Sequence, residues 1–294
     1  MNNNQNLYAD IPVKNGSRYV VITPNGKEAY VSNWSHSSVT LIDVATDTVT
    51  QVIDVGQLAG FMAVSPDGKY VIVVTGGSSE VSIIDALTKK VTLVSVDMIG
   101  FQVAISPDSK KAYVTGEKLV VIDIAAAKVI DRFQFERGVT GIAITQDGTH
   151  AWLTMSLGSN VSYVELANYN IIESVPVSAY PYGLAMSEDG RRIVVGTFIH
   201  NTLSVIDTTT RKVEKEIKVN SQPYGIAFSK DGSRVYACVF PNSGVEVVDM
   251  KSLERIVSIS AGRNPMGIAV VDETRAYVTN SHESELKLSV ISLS

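Results

Sequence analysis

Histidine and arginine residues at the ends of short apolar segments are the positions best suited to chemistry in this sequence. Imidazole titrates near neutral pH, so a histidine in a loop can act as a general acid or base. An arginine beside it can stabilise a developing oxyanion. The candidate catalytic residues are His36, His282, Arg18 and Glu283.

Aromatic side chains accompany these polar residues at similar loop positions. A wall of aromatic rings with a few convergent polar groups is the usual composition of a small-molecule site. The candidate ligand-binding residues are Tyr19, Trp34, Phe61, Phe101, Tyr182, Phe198, His200, Tyr224, Phe240 and Arg263. His36 and His200 each precede an aspartate by seven residues, and this equal spacing also fits an ordinary solvated turn residue.

Other site chemistries find little support in the sequence. Cys238 is the single cysteine, which excludes an intrachain disulfide and a multi-cysteine metal site. No glycine-rich phosphate loop, serine nucleophile elbow or HExxH zinc motif is present. We expect no cofactor and no metal, a structural role for His150, and a buried, apolar role for Cys238.

A recurring turn signature defines the elements that must hold these residues. Its copies begin at Thr23, Ser65, Ser106, Thr145, Ser187 and Ser229, with spacings of 42, 41, 39, 42 and 42 residues. A degenerate seventh copy begins at Val271. Seven units of about 40 residues therefore account for nearly the whole chain, which is the pattern of a repeat architecture.

Each unit contains four short segments rich in β-branched residues. In one unit these segments are residues 224–228, 235–239, 245–248 and 255–259. The first three segments are almost wholly apolar, as expected of strands buried on both faces, whereas the fourth mixes polar and apolar residues. Four antiparallel strands per unit, repeated radially, predict an all-β, seven-bladed β-propeller that forms one domain over residues 1–294.

The two ends of the chain are predicted to share the last blade. That blade runs over residues 267–271, 276–280 and 286–293 and lacks a fourth strand. Residues 11–19 align without a gap onto residues 217–225, which include the end of an outer strand. We therefore expect residues 7–13 to supply the outer strand of the last blade and to cover two exposed sheet edges.

The repeat also resembles a known family. Residues 277–280 read Tyr-Val-Thr-Asn, residues 30–33 read Tyr-Val-Ser-Asn, and most third strands end in an Ile-Asp or Val-Asp pair. In these motifs the chain is similar to YVTN-repeat propellers, and the resemblance covers almost its whole length. The resemblance implies a wide choice of functions, from lactonase-like hydrolases and a lyase to cofactor-binding domains and cell-surface proteins. The fold does not choose among them.

The repeat separates scaffold residues from site candidates. Acidic residues recur at the end of the third strand, where an Asx-type turn role is expected: Asp43, Asp85, Asp123, Glu165, Asp207 and Asp249. Residues that depart from the repeat gather in the loops of one face, around the channel mouth. His282 and His36 belong to adjacent blades there, whereas His36 and His200 are too far apart to share a metal ion. The aromatic residues of this face either wall a pocket or plug the channel.

Composition narrows the partners. The net charge is −5, with acidic and basic residues interspersed, so nucleic acid and anionic membranes are not expected as partners. No signal-like or membrane-spanning segment is evident, so we expect a cytoplasmic monomer, with export as the alternative if a signal has been removed.

Two functions follow as hypotheses. The first is a small-molecule hydrolase, lyase or isomerase that uses acid–base catalysis at the channel mouth. The second is a non-catalytic binding or scaffold propeller, which could be associated with a surface. A deep, preformed pocket favours the first function, and a shallow rim favours the second.

Overall fold

The protein folds as a ring of seven four-stranded antiparallel sheets. The computed structural model describes residues 7–14, 16–155, 158–241, 244–282 and 284–293, without the side chains of residues 7 and 8. Within each sheet the strands lie in chain order, except in the last. The innermost strands of successive sheets contact one another around a central channel. This arrangement confirms the predicted seven-bladed β-propeller.

The strands have the following bounds. Blades one and two comprise β2 (Ser17–Ile22), β3 (Glu28–Asn33), β4 (Ser38–Asp43), β5 (Thr48–Asp54), β6 (Ala59–Val64), β7 (Tyr70–Thr75), β8 (Glu80–Asp85) and β9 (Val91–Ser95). Blades three and four comprise β10 (Val103–Ile105), β11 (Lys111–Val114), β12 (Leu119–Asp123), β13 (Lys128–Phe133), β14 (Val139–Ile144), β15 (His150–Met155), β16 (Asn160–Glu165) and β17 (Ile171–Pro176). A short 3₁₀ helix, Trp34–His36, follows β3.

The remaining blades follow the same plan. Blades five and six comprise β18 (Pro181–Met186), β19 (Arg192–Thr197), β20 (Thr202–Asp207), β21 (Lys212–Lys218), β22 (Gln222–Phe228), β23 (Arg234–Phe240), β24 (Gly244–Asp249) and β25 (Glu254–Ser260). Blade seven comprises β26 (Pro265–Val270), β27 (Arg275–Asn280), β28 (Lys287–Ser292) and β1 (Leu7–Pro12).

The hydrophobic core lies between neighbouring blades. Val39 and Leu41 of blade one, for example, pack with Val71 and Val73 of blade two. Second and third strands are buried along almost their whole length, while the outer strand β5 is exposed at most positions. Burial on both faces explains why the inner segments are apolar throughout instead of alternating.

The N-terminal strand closes the ring, as predicted. Strand β1 pairs antiparallel with β28, with Ile11 opposite Leu288. The Val13 amide donates a hydrogen bond to the Leu286 carbonyl at 3.1 Å. Lys287 forms an ion pair with Asp10 at 2.9 Å. The edge of β28 is therefore paired by a strand from the other end of the described chain.

The recurrent aspartates belong to turns, also as predicted. The Asp85 carboxylate accepts hydrogen bonds from the amides of Leu87 and Thr88 at 3.1 and 2.7 Å. These amides, with the Thr88 hydroxyl, lower the pKa of Asp85 below its ordinary value. In the other turn series, Gly68, Gly148, Gly190 and Gly232 adopt positive φ angles after an aspartate.

Candidate functional site

The innermost strands divide the channel mouth into two unlike halves. Blades four to seven carry glycine at one shared register, namely Gly141, Gly183, Gly225 and Gly267. A Cβ at Gly183 or Gly225 would collide with a backbone carbonyl of the next blade. Blades one to three carry Tyr19, Phe61 and Gln102 at this register instead. At this register side chains therefore enter the mouth from one half only, because the strands of the other half lie too close together.

Aromatic rings cross the mouth from one side to the other. Tyr19 and Phe61 lie with ring centroids 3.5 Å apart, and Phe61 lies 6.3 Å from Tyr182 on the opposite side. Tyr182 contacts both Phe198 at 4.9 Å and Tyr224 at 5.3 Å. Much of the channel opening is therefore filled by rings, which agrees with the plug alternative for that part of the mouth.

Trp34 forms a second layer above blades one and two. The Arg18 guanidinium lies 3.8 Å from the centre of the indole ring, in a cation–π contact. The other side of the indole lies against two glycines of blade two, since a Cβ at Gly60 would stand 3.3 Å from Trp34 and one at Gly76 would overlap it. Glycine at these two positions therefore makes room for the indole ring.

A small cavity remains beside this stack. Its volume is about 170 Å³, and its walls include Arg18, Tyr19, Trp34, Gly60, Phe61, Phe101, Tyr182 and Met266. This volume lies below the roughly 300–1,000 Å³ of pockets that hold drug-sized ligands. The cavity suits a small molecule or one group of a larger one.

Two polar groups of the residues around this cavity have no hydrogen-bond partner in the described part of the protein. The hydroxyl of Tyr19 is buried and forms no hydrogen bond within the described residues. In the same part of the chain, no ion pair or side-chain hydrogen bond engages the half-buried Arg18 guanidinium. A polar group out of water normally finds a partner, so the Arg18 guanidinium is available to a ligand, whereas the Tyr19 hydroxyl has no accessible surface.

Burial controls the protonation of these groups. It lowers the pKa of the Arg18 guanidinium, an effect that the nearby phenols of Tyr182 and Tyr224 partly oppose. Burial also raises the pKa of Tyr19 well above its usual range and that of Tyr182 to about 12. Near neutral pH the mouth therefore presents one positive charge and neutral hydroxyl groups that can donate hydrogen bonds.

The predicted catalytic residues do not meet at this cavity. His36 is exposed on its 3₁₀ helix. His282 uses Nδ1 within its own loop, 2.8 Å from the Ser284 hydroxyl and 3.2 Å from the Ser284 amide, which donates to it. No hydrogen bond or ion pair joins the two histidines within the described ranges. Of the three candidates that the structure describes, only Arg18 lines the cavity; Glu283 lies outside the described residues.

The other predicted ligand-binding residues lie in three places. Phe101, which is 39% exposed, lines the cavity with Tyr19, Trp34, Phe61 and Tyr182. Phe198, Tyr224 and Phe240 extend the ring cluster on the far side of the mouth, where Tyr224 and Phe240 lie 5.6 Å apart. His200 is exposed, and Arg263 lines a separate shallow cleft with Glu285 and Lys287.

Glu246 is a strong departure from the repeat that was not predicted from the sequence. Most third strands carry Ser or Thr two residues into the strand, at Thr40, Ser82, Ser162, Ser204 and Ser289. Blade six has the fully buried Glu246 at this register. One carboxylate oxygen accepts a hydrogen bond from Arg255 at 3.1 Å, and the other has no partner within the described residues. The same register comparison that separated scaffold from site would have found it, although it does not line the mouth cavity.

Two other kinds of feature were sought across the described ranges. No group of three or more histidine, cysteine, aspartate or glutamate residues is placed there to hold a metal ion. No helix in that part of the chain has both the length and the apolar character needed to cross a bilayer.

Comparisons with known proteins identify the fold. The hydrazine synthase of Kuenenia stuttgartiensis superposes with a TM-score of 0.85 at 22% sequence identity, covering 96% of this chain and 97% of that chain. The Cps50 (Swd1) β-propeller domain of Myceliophteria thermophila gives a TM-score of 0.87 at 15% identity, covering 98% and 99%. At these identities the likeness shows the fold alone. No curated protein sequence matches the chain significantly.

A family model matches part of the chain. The model of the YNCE-like β-propeller matches residues 134–234, which span all of blades four and five and the start of blade six. The YVTN-type motifs lie outside this segment, in blades one and seven. The family-model match, the repeat motifs and the ring of seven blades together fit a YVTN-type seven-bladed β-propeller family.

Proposed function

We propose that the protein binds a small molecule at the channel mouth, and that the ligand presents an anionic oxygen to Arg18. The observation that carries this proposal is the half-buried guanidinium without an acidic partner. Its central carbon lies over the Trp34 ring, and no side-chain hydrogen bond occupies its N–H groups within the described residues. A guanidinium edge binds carboxylate or phosphate oxygens in pairs, so an oxyanion is the natural ligand group.

The rest of the cavity supports the same ligand class. The Tyr182 hydroxyl can donate a hydrogen bond to a ligand oxygen, because its raised pKa keeps it protonated. Trp34, Phe61 and Phe101 supply apolar walls for the remainder of the molecule. A compact carboxylate with a flat apolar group fits both the charge and the small volume.

Acid–base catalysis has less support than binding. The described residues that line the cavity include neither a histidine nor a carboxylate. His282 is held by its own loop, so it is better suited to stabilising that loop than to proton transfer. The hydrolase, lyase or isomerase activity therefore stays a prediction from the sequence, and we propose a binding function in its place.

Tryptophan fluorescence offers a direct test with benzoate as the probe and neutral benzamide as its control. The two tryptophans are Trp34, at the cavity, and Trp152, which is fully buried. We expect benzoate to change the Trp34 emission saturably and benzamide to bind at least tenfold more weakly. The substitution Arg18→Met should weaken benzoate binding by ten- to a hundredfold, as expected for loss of a charge-assisted hydrogen bond worth about 1.5–3 kcal/mol.

Matched variants distinguish binding at this cavity from binding elsewhere on the protein. Arg263→Met removes an exposed arginine outside the cavity and should leave benzoate binding unchanged, as should His36→Ala. Trp34→Phe should remove the fluorescence change and leave the Trp152 emission in place. Equal benzoate affinity in wild type and Arg18→Met, or no saturable benzoate response, would contradict the proposal.

A further inference from the structure

A second cleft lies on the side of the ring, between blades three and four. Its volume is about 570 Å³, which falls within the range of pockets that hold small molecules. One wall comes from the segment that contains the outer strand β13 of blade three, and the other comes from β16 and β17 of blade four. This cleft shares no lining residue with the cavity at the channel mouth.

Aromatic residues form the blade-three wall. Phe133 lies edge-on to Phe135, with ring centroids 4.7 Å apart, and stacks on Tyr169 of blade four at 5.0 Å. At the positions of Phe133 and Phe135 the other blades carry small aliphatic residues: Ile11 and Val13, Ile53 and Val55, Val94 and Val96, Val175 and Val177, Ile217 and Val219, and Ile259 and Ala261. The blade folds six times with aliphatic residues there, so the fold does not require the aromatic pair.

Neutral polar groups form the blade-four wall. The Asn160 side chain donates to the Ser162 hydroxyl at 3.4 Å, and the Ser162 and Ser174 hydroxyls are 3.2 Å apart. No hydrogen bond to the Asn160 side-chain oxygen is formed within the described residues. The half-buried Asn160 amide and the exposed Ser174 hydroxyl retain both donor and acceptor capacity toward a ligand, whereas Ser162 is fully buried and links the two.

The described residues that line the cleft carry no net charge, which favours a neutral ligand. Among the described lining residues the charged ones are Glu136 and Arg137, which are exposed and opposite in sign. A purely apolar ligand would take the Asn160 side-chain oxygen out of water without a partner, which is unfavourable. The ligand should therefore have one apolar face for the aromatic rings and several hydroxyl groups for the opposite wall.

We propose that this cleft binds a neutral hexopyranose ring. The axial C–H groups of such a ring form an apolar face that can pack against the half-buried Phe133–Tyr169 stack. Its hydroxyls can exchange hydrogen bonds with Asn160 and Ser174. This inference does not depend on the binding of an anion at the channel mouth.

Saturation-transfer NMR with the methyl glycosides of glucose, galactose and mannose tests the proposal. We expect at least one glycoside to give a saturable signal with a millimolar dissociation constant. The double substitution Phe133→Ile and Phe135→Val, which installs the residues found in blade one, should abolish that signal. Phe101→Ile, at the channel mouth, should leave it unchanged.

A second variant tests the proposal independently in case the double variant does not fold. Tyr169→Lys installs the residue that blade two carries at the same turn, Lys89, and should weaken glycoside binding at least fivefold without unfolding the ring. No signal from any of the three glycosides in wild type would overturn the proposal. An undiminished signal in a folded Tyr169→Lys variant and in the double variant would overturn it as well.

Discussion

The two faces of the ring differ in how far their polar side chains are hydrogen-bonded within the protein. On the face of the aspartate turns, carboxylates accept several hydrogen bonds from their own turn, as Asp147 does from Thr145 and Thr149. At the channel mouth, the Arg18 guanidinium and the Tyr19 hydroxyl have no hydrogen-bond partner within the described chain. The first groups recur from blade to blade, and the second do not.

This difference suggests a way to separate scaffold residues from candidate binding residues in a repeat protein, by comparing equivalent positions of its units. A polar residue that recurs at one register is already satisfied by the structure of the repeat unit, so it stabilises the scaffold. A polar residue that departs from the register and has no hydrogen-bond partner can form a new hydrogen bond with a ligand. Substitution of Arg18 should therefore weaken ligand binding and leave the stability of the fold unchanged. Substitution of a turn aspartate should lower the stability of the fold and leave ligand binding unchanged.

The largest expected effect comes from a scaffold residue located at the mouth. In Gly225→Ala the new Cβ would collide with the Met266 carbonyl oxygen of the next blade, and backbone atoms there cannot move aside. We expect the free energy of unfolding to fall by about 3 kcal/mol, as in severe overpacking. Urea denaturation measures this change.

Gly244→Ala is the control for that substitution. Its Cβ would stand 3.1 Å from the Ser258 hydroxyl, which belongs to a side chain that can rotate away. The loss of stability should be clearly smaller. Equal losses in the two variants would show that close approach of the inner strands is not what requires glycine at the mouth.

An intermediate effect is expected from the recurrent acids. Asp85→Asn removes the charge that accepts the Leu87 and Thr88 hydrogen bonds. The melting temperature should fall by a few degrees, measured by circular dichroism, while benzoate binding at the mouth stays unchanged. A more than tenfold loss of benzoate affinity with an unchanged melting curve would assign the recurrent acids to function and break the comparison.

The smallest expected effect is the loss of stability at acidic pH that each turn carboxylate causes when it becomes protonated. Folding depresses the pKa of Asp147 and Asp231 to about 2, from an ordinary value of 3.8, mainly through hydrogen bonds from Thr145 and Ser229. A depressed folded pKa contributes stability above the unfolded pKa, and this contribution is lost as the pH falls from about 4 towards 2. The melting temperature should therefore drop over that window.

The double variant Asp147→Asn and Asp231→Asn serves as its reference. The variant should be less stable than wild type at pH 7, and the difference should shrink towards pH 2, where the wild-type carboxyls become protonated. A difference between the two proteins that stays constant from pH 7 to pH 2 would show that these carboxylates do not stabilise the fold through their charge.

The fold could be predicted from the sequence because the same pattern of strands and turns occurs in seven successive units. The turn glycine Gly148, the turn acid Asp85 and the closing strand each follow from a local pattern or from an alignment of the chain with itself. The expected pairing of His36 with His282 follows from neither, because adjacent blades bring the loops near each other without setting the direction of a side chain. The hydrogen bond between His282 and Ser284 sets that direction, and it is a contact within one irregular loop.

The arrangement of the mouth was predicted only in part. Arg18 and Trp34 were both proposed as site residues, but their stacking depends on the space above Gly60 and Gly76. This space is created by the absence of a side chain in the neighbouring blade, which a search for chemically active residues overlooks. Glu246 was overlooked for a different reason, since its strand otherwise conforms to the apolar pattern.

Closure of the ring by strand β1 has a consequence for folding kinetics. Asp10 and Lys287, which form an ion pair, are 277 residues apart in the chain. The entropy cost of closing a loop rises slowly with length, by about 0.6 kcal/mol per doubling, so this long closure is thermodynamically mild. It is nevertheless the least local contact of the fold, and such contacts form late. Until they form, the edge of β28 is open to the same strand from a second molecule, which makes productive refolding depend on protein concentration.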